Sequence, residues 1–133
     1  MIKPSLSQFQ NIGVIQAQLT DEELAPIWQE VNEIKDNFSL AEPYNNHLVG
    51  NLEREYHLPK SKKYIAQLLM PLITKYEANV NMEFFSTVKH KSAIILDSTW
   101  VNFQKKYEFN PVHNHTGVYS FVLWLDIPYD IED

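Results

Sequence analysis

The apolar pattern of this chain changes period part-way along, and that change limits the fold more than any other feature. Leu24, Ile27, Trp28, Val31 and Ile34 recur at spacings of three and four, and so do Tyr64, Ile65, Leu68, Leu69, Leu72, Ile73 and Tyr76. This is the stripe of an amphipathic helix. Beyond Lys91 the pattern becomes strand-like, with Trp100, Asn102 and Gln104 alternating with Val101 and Phe103. Helices first and strands second predict an α+β fold. At 133 residues the chain fits a single domain, residues 1–133, large enough to bury a core.

Local signals refine this layout. Ile12 to Leu19 reads as a first strand. Thr20 is placed to cap the first helix, with Glu23 as its capping-box partner and Asp21 and Glu22 at the positive end of the helix dipole. Trp28 belongs to the core stripe. From Asn37 to Pro59 the periodicity dissolves among Pro43, Asn45, Asn46, Gly50 and Asn51, which predicts a long loop with His47 and His57 on its surface. Ser61 can cap a second helix, which Pro71 should kink or split. Asn79 to Ser92 has no clear pattern, and His90 between two lysines reads as exposed. Ala93 to Leu96 is strand-like, and Asp97 to Thr99 can break or bulge it. Trp100 to Gln104 has one apolar face that packs on the helices and one polar face that either lines a wet pocket inside a barrel or is simply exposed to solvent. Val118 to Pro128 is nearly continuous in apolar and aromatic residues and reads as a strand buried on both sides.

Composition removes several function classes. There is no cysteine, so disulfides, thiolate metal sites and cysteine nucleophiles are excluded, and any metal must be held by nitrogen and oxygen. The net charge of −6 argues against broad binding of nucleic-acid backbones. No apolar run is long enough to cross a bilayer, and Met1 to Ser5 carry no signal-peptide pattern, so the expected location is the cytoplasm.

His113 and His115 stand one residue apart after a strand and a loop. On an extended backbone residues i and i+2 point to the same side, so the two imidazoles can aim at one point. That is how a strand offers a pair of metal ligands. An H-x-H pair is a weak pattern by itself, and the competing reading is two loop histidines bonded to neighbours or water.

The flanking residues add to it. Trp100-Val101-Asn102-Phe103-Gln104-Lys105-Lys106, Glu108-Phe109-Asn110-Pro111, His113-x-His115 and Ser120-Phe121-Val122 followed by Pro128 resemble the 2-oxoglutarate/Fe(II)-dependent oxygenases related to prolyl 4-hydroxylase, in the small form carried by tailed bacteriophages. The resemblance covers about a fifth of the chain. It implies the opening strands of a double-stranded β-helix, a jelly-roll, with the N-terminal strand and helices packed on them. It implies Fe(II) and 2-oxoglutarate as cofactors, a hydroxylation substrate of unstated identity, and the host-cell cytoplasm as location. His113 takes the family's first ligand position. His115 stands where the wider superfamily places a carboxylate, so it is either a ligand or a group behind one. Trp100, Asn102 and Gln104 would face the pocket where the family binds 2-oxoglutarate and substrate.

The resemblance also implies a distal histidine and a 2-oxoglutarate-binding arginine on later strands. Neither has a counterpart here: no histidine follows His115, and Arg54 is the sole arginine. The expectation is an incomplete barrel, inactive alone, whose edge at Val118 to Leu125 is covered by further strands or a partner chain. The alternatives are a non-catalytic jelly-roll module, such as a phage accessory or assembly protein, and a cupin-like protein with a histidine-only metal site.

Overall fold

The computed structural model describes residues 13–45, 48, 50–80, 93–115 and 117–127. The elements are helix α1 (Asp21–Asp36), a 3-10 turn at Phe38–Leu40, strand β1 (Glu55–His57), helix α2 (Lys62–Val80) and strand β2 (Trp100–Asn102). The fold is α+β, with two helices and a small antiparallel sheet that does not close.

α1 starts where local chemistry dictates. The Thr20 hydroxyl accepts the Glu23 N–H, and the Glu23 carboxylate accepts the Thr20 N–H at 2.8 Å, a complete capping box. The first turn carries Asp21, Glu22 and Glu23, and the last carries Lys35, both matched to the helix dipole. Ile27, Val31 and Ile34 are the buried stripe, and Trp28 packs half-buried beside it.

α2 runs through Pro71 as one helix, so Pro71 does not split it. Pro71 is exposed, and its missing N–H deprives only the Gln67 carbonyl, also at an exposed position. Ile65, Leu68 and Leu69 pack on the core and hold the helix across that gap. The N-terminus of α2 is fixed from a distance. Glu30 of α1, only 4% exposed, accepts the N–H of Lys60 at 2.9 Å and of Ser61 at 2.6 Å. The Tyr64 hydroxyl donates to the Glu23 carbonyl at 3.0 Å and adds a second tie between the helices.

β1 and β2 pair as Glu55 with Asn102, Tyr56 with Val101 and His57 with Trp100. The ladder is extended by Leu58 N–H to the Thr99 carbonyl (3.0 Å) and Phe103 N–H to the Arg54 carbonyl (2.9 Å). Pro43 lies opposite Tyr56 on the other side of β1, with Tyr44 N–H donating to the Glu55 carbonyl and His57 N–H to the Glu42 carbonyl. His57 is therefore a half-buried strand residue and not a surface-loop histidine.

Partner residues across a ladder share a face. Val101 and Tyr56 face the core with Ile27, Val31, Ile34, Leu58 and Ile65. On that side Phe38 stacks on Tyr56 at 5.3 Å and meets Phe103 edge-on at 5.1 Å.

Three other expected strands are absent. Residues 13–19 form no strand; Tyr76 of α2 donates from its hydroxyl to the Gly13 carbonyl at 2.7 Å and ties the segment down that way. Residues 93–96 likewise pair with nothing as a strand. Residues 117–127 are also outside any strand, and far from being buried on both sides they alternate: Leu123 and Leu125 pack against the core, while Val122 and Trp124 are exposed, Trp124 by 67%. A strand is defined by its partner, and this stretch has none among the described residues. His47, His90 and most of Asn79 to Ser92 lie outside the described residues. No helix among the described residues is long and apolar enough to cross a membrane.

Candidate functional site

The segment after β2 is held by a compact turn. Glu108 N–H donates to the Lys105 carbonyl at 3.1 Å, and the Gln104 side-chain amide donates to the Glu108 carbonyl at 2.6 Å. The Glu108 carboxylate accepts Lys105 N–H (2.7 Å) on one oxygen and Glu53 N–H (3.1 Å) on the other. Lys105 also pairs with Glu53. Tyr107 takes a φ of 72°, the left-handed region that an aromatic residue rarely adopts. Asn51 N–H then donates to the Phe109 carbonyl at 2.9 Å, so the chain leading into the histidines is pinned against residues 51–53.

Both histidines are exposed, and their rings meet. The Nε2 atoms of His113 and His115 lie 3.1 Å apart, with ring centroids 4.7 Å apart at 64°. His113 Nδ1 is 2.8 Å from the Pro111 carbonyl. A carbonyl only accepts, so Nδ1 carries the hydrogen and, in the neutral ring, Nε2 presents a bare lone pair. Without metal, His115 Nε2–H can donate to that lone pair.

The same arrangement suits a metal. A ligating histidine commonly donates its other N–H to a backbone carbonyl, which fixes ring and tautomer. Two nitrogens each about 2.1 Å from one ion, at right angles, are about 3.0 Å apart. The Nε2 separation of His113 and His115 matches the spacing of two adjacent positions on one ion. Among the described residues no third histidine, aspartate or glutamate joins them.

The other predicted positions divide. Trp100 and Asn102 lie on the sheet face turned away from the core, with Glu55 and His57 of β1. Gln104 is drawn into the turn at Glu108. Tyr44 leans over this face: its ring stacks on Trp100 at 5.1 Å and meets His57 at 4.2 Å. Glu55 is 1% exposed, and its Oε1 has no hydrogen-bond partner among the described residues. Burial, and after it the nearby Glu108 carboxylate, pushes the Glu55 carboxyl above its usual range. Arg54 faces the other way, its guanidinium 4.5 Å over the Phe38 ring on the opposite face.

Tyr44, Glu55 and His57 were hidden in what reads as loop. The one available signal was the alternation across Arg54-Glu55-Tyr56-His57, short enough to be lost among turn residues.

The chain matches no protein-family model, no curated protein and no solved structure.

Proposed function

We propose that this chain is built on the scaffold of a 2-oxoglutarate/Fe(II)-dependent oxygenase, with its helices packed on the opening strands of a jelly-roll and His113 and His115 as the start of the metal site. The reading rests on the sequence resemblance around these residues. One observation carries it furthest: two imidazoles converge with their Nε2 atoms 3.1 Å apart while a backbone carbonyl fixes the tautomer of one. When bound, Fe(II) with 2-oxoglutarate and O₂ supplies hydroxylation of a C–H bond, with succinate and CO₂ as coproducts. The protein's own share is narrower. His113 and His115 offer nitrogen donors, Pro111 holds the first ring in place, and Trp100 and Asn102 present a surface for the substrate. Further strands or a partner chain complete the barrel, the ligand set and the 2-oxoglutarate site.

Calorimetric titration of Ni(II) into wild type, His113→Ala and His115→Ala tests the metal pair. One-to-one binding that weakens at least tenfold in each variant supports it. Equal binding by all three removes it.

A non-catalytic jelly-roll module is the second reading, and the exposed side chains of Val118, Val122, Trp124 and Ile127 favour it. An apolar strip of this kind is what a binding or assembly surface offers. Metal binding separates the two readings, since the module needs none.

A further inference from the structure

The outer face of the small sheet carries a site of its own. Its positions are read from the register: Glu42 and Tyr44 beside β1, Glu55 and His57 on it, and Trp100 and Asn102 on β2. None is a lysine or arginine. Two are glutamates, three are aromatic or imidazole rings, and one is an amide. The Tyr44 and Trp100 rings are stacked at 25°, and His57 closes against Tyr44 at 65°. In the middle of this face sits Glu55, buried to within 1% and with one carboxylate oxygen lacking any donor among the described residues.

A buried carboxylate oxygen without a donor is costly, and proteins rarely keep one without a use. The group that satisfies it must bring an N–H or O–H. The charge around it selects which. Glu42 shares the face, and Glu108 lies near enough to act on Glu55 electrostatically while its own oxygens are occupied by the Glu53 and Lys105 N–H groups. The negative faces of stacked aromatic rings attract cations. A cation carrying N–H donors answers all three features together: the orphan oxygen, the acidic surroundings and the ring wall. Asn102, opposite Glu55 on β2, is exposed, so this edge of the face borders solvent.

We propose that this face binds a protonated amine or guanidinium group, with Glu55 Oε1 accepting its N–H and the Tyr44–Trp100 pair forming the wall against its alkyl stem. The site uses none of the histidine-pair geometry, so it stands or falls apart from the metal reading.

The test is NMR titration of the intact chain, following the Trp100 indole N–H at constant ionic strength. The probes are n-butylammonium and n-butylguanidinium, with n-butanol as the neutral control and butyrate as the anionic one. The expected result is a saturable shift with both cations, at least tenfold weaker or absent with butanol and butyrate, and at least tenfold weaker for the cations in Glu55→Gln. Equal response to butanol or butyrate overturns the proposal, and so does unchanged cation affinity in a folded Glu55→Gln. Should that variant not fold, the comparison of charged and neutral probes on wild type still decides. Ni(II) binding left unchanged by His113→Ala removes the metal reading alone, and a Trp100 indole that does not respond to the two cations removes this one alone.

Discussion

Glu30 accepts the Ser61 N–H at 2.6 Å and so caps α2 from the middle of α1, across 31 residues of sequence. The same carboxylate takes the Lys60 N–H on its other oxygen. Ser61 itself turns its hydroxyl toward the Pro26 carbonyl at 3.5 Å, while its own carbonyl accepts the Ile65 N–H at 2.8 Å. The helix start expected at Ser61 is therefore correct in place, but its charge comes from α1.

Removing that carboxylate leaves two N–H groups at a helix end without acceptors. Hydrogen bonds to a charged group contribute about 1.5–3 kcal/mol. Glu30→Ala is expected to destabilise the protein by about 3 kcal/mol, with Glu30→Gln losing less. Urea unfolding followed by circular dichroism measures both.

Ile27 is 1% exposed and lies at the centre of the core, facing Val101 of the sheet and Ile65 of α2 within one cluster. Truncating such a side chain costs the lost burial and the cavity left behind. Ile27→Ala is expected to lose about 3 kcal/mol and Ile27→Val about 1 kcal/mol. Trp124→Ala removes a side chain that is 67% exposed and should change stability by less than about 0.5 kcal/mol. Chemical denaturation of the three variants tests the ranking; a Trp124 effect as large as that of Ile27→Ala would contradict the description of this surface.

Glu55 sets a pH dependence with a definite sign. Its folded carboxyl titrates above its unfolded one, because burial, then Glu108, disfavours the charge. The folded protein therefore holds this proton more tightly than the unfolded chain does. The stability so gained is full below the ordinary carboxylate range, near about 4, and declines as pH rises from there to the raised folded value. Glu33 and Glu53 are shifted the other way, by Lys60 and Lys105, so their contributions are lost as pH falls. Only a difference isolates Glu55. The stability advantage of Glu55→Gln over wild type should widen as pH rises from 4 to 8. A constant difference across that range would contradict the burial of this carboxyl.

The parts of the fold legible in the sequence are those set by neighbours along the chain. Thr20 and Glu23 lie three residues apart, and their box forms as their spacing requires. The stripe of Ile27, Val31 and Ile34 is buried for the same reason. The polarity of Trp100 to Gln104 was also readable, because Val101 and Phe103 alternate with it and turn to the core. What failed depends on partners far away. Glu55 to His57 became a strand only because Trp100 to Asn102 pairs with it, about 45 residues on. Val118 to Leu125 has strand composition and no partner among the described residues, so composition misled. Of the site, His113 and His115 come together although residues 111–115 form no strand, the element from which their approach was expected, and Glu55 and Tyr44 required the tertiary fold.

The central claim is that His113 presents a bare Nε2, its hydrogen held on Nδ1 by the Pro111 carbonyl, 3.1 Å from the Nε2 of His115, and that a metal replaces the hydrogen between them. Long-range proton–nitrogen NMR of the histidine side chains measures it most directly. The account predicts that metal-free His113 is the Nδ1–H tautomer, and that one equivalent of Zn(II) shifts the Nε2 resonances of His113 and His115 together. A His113 protonated on Nε2, or a metal response confined to one of the two rings, would contradict it.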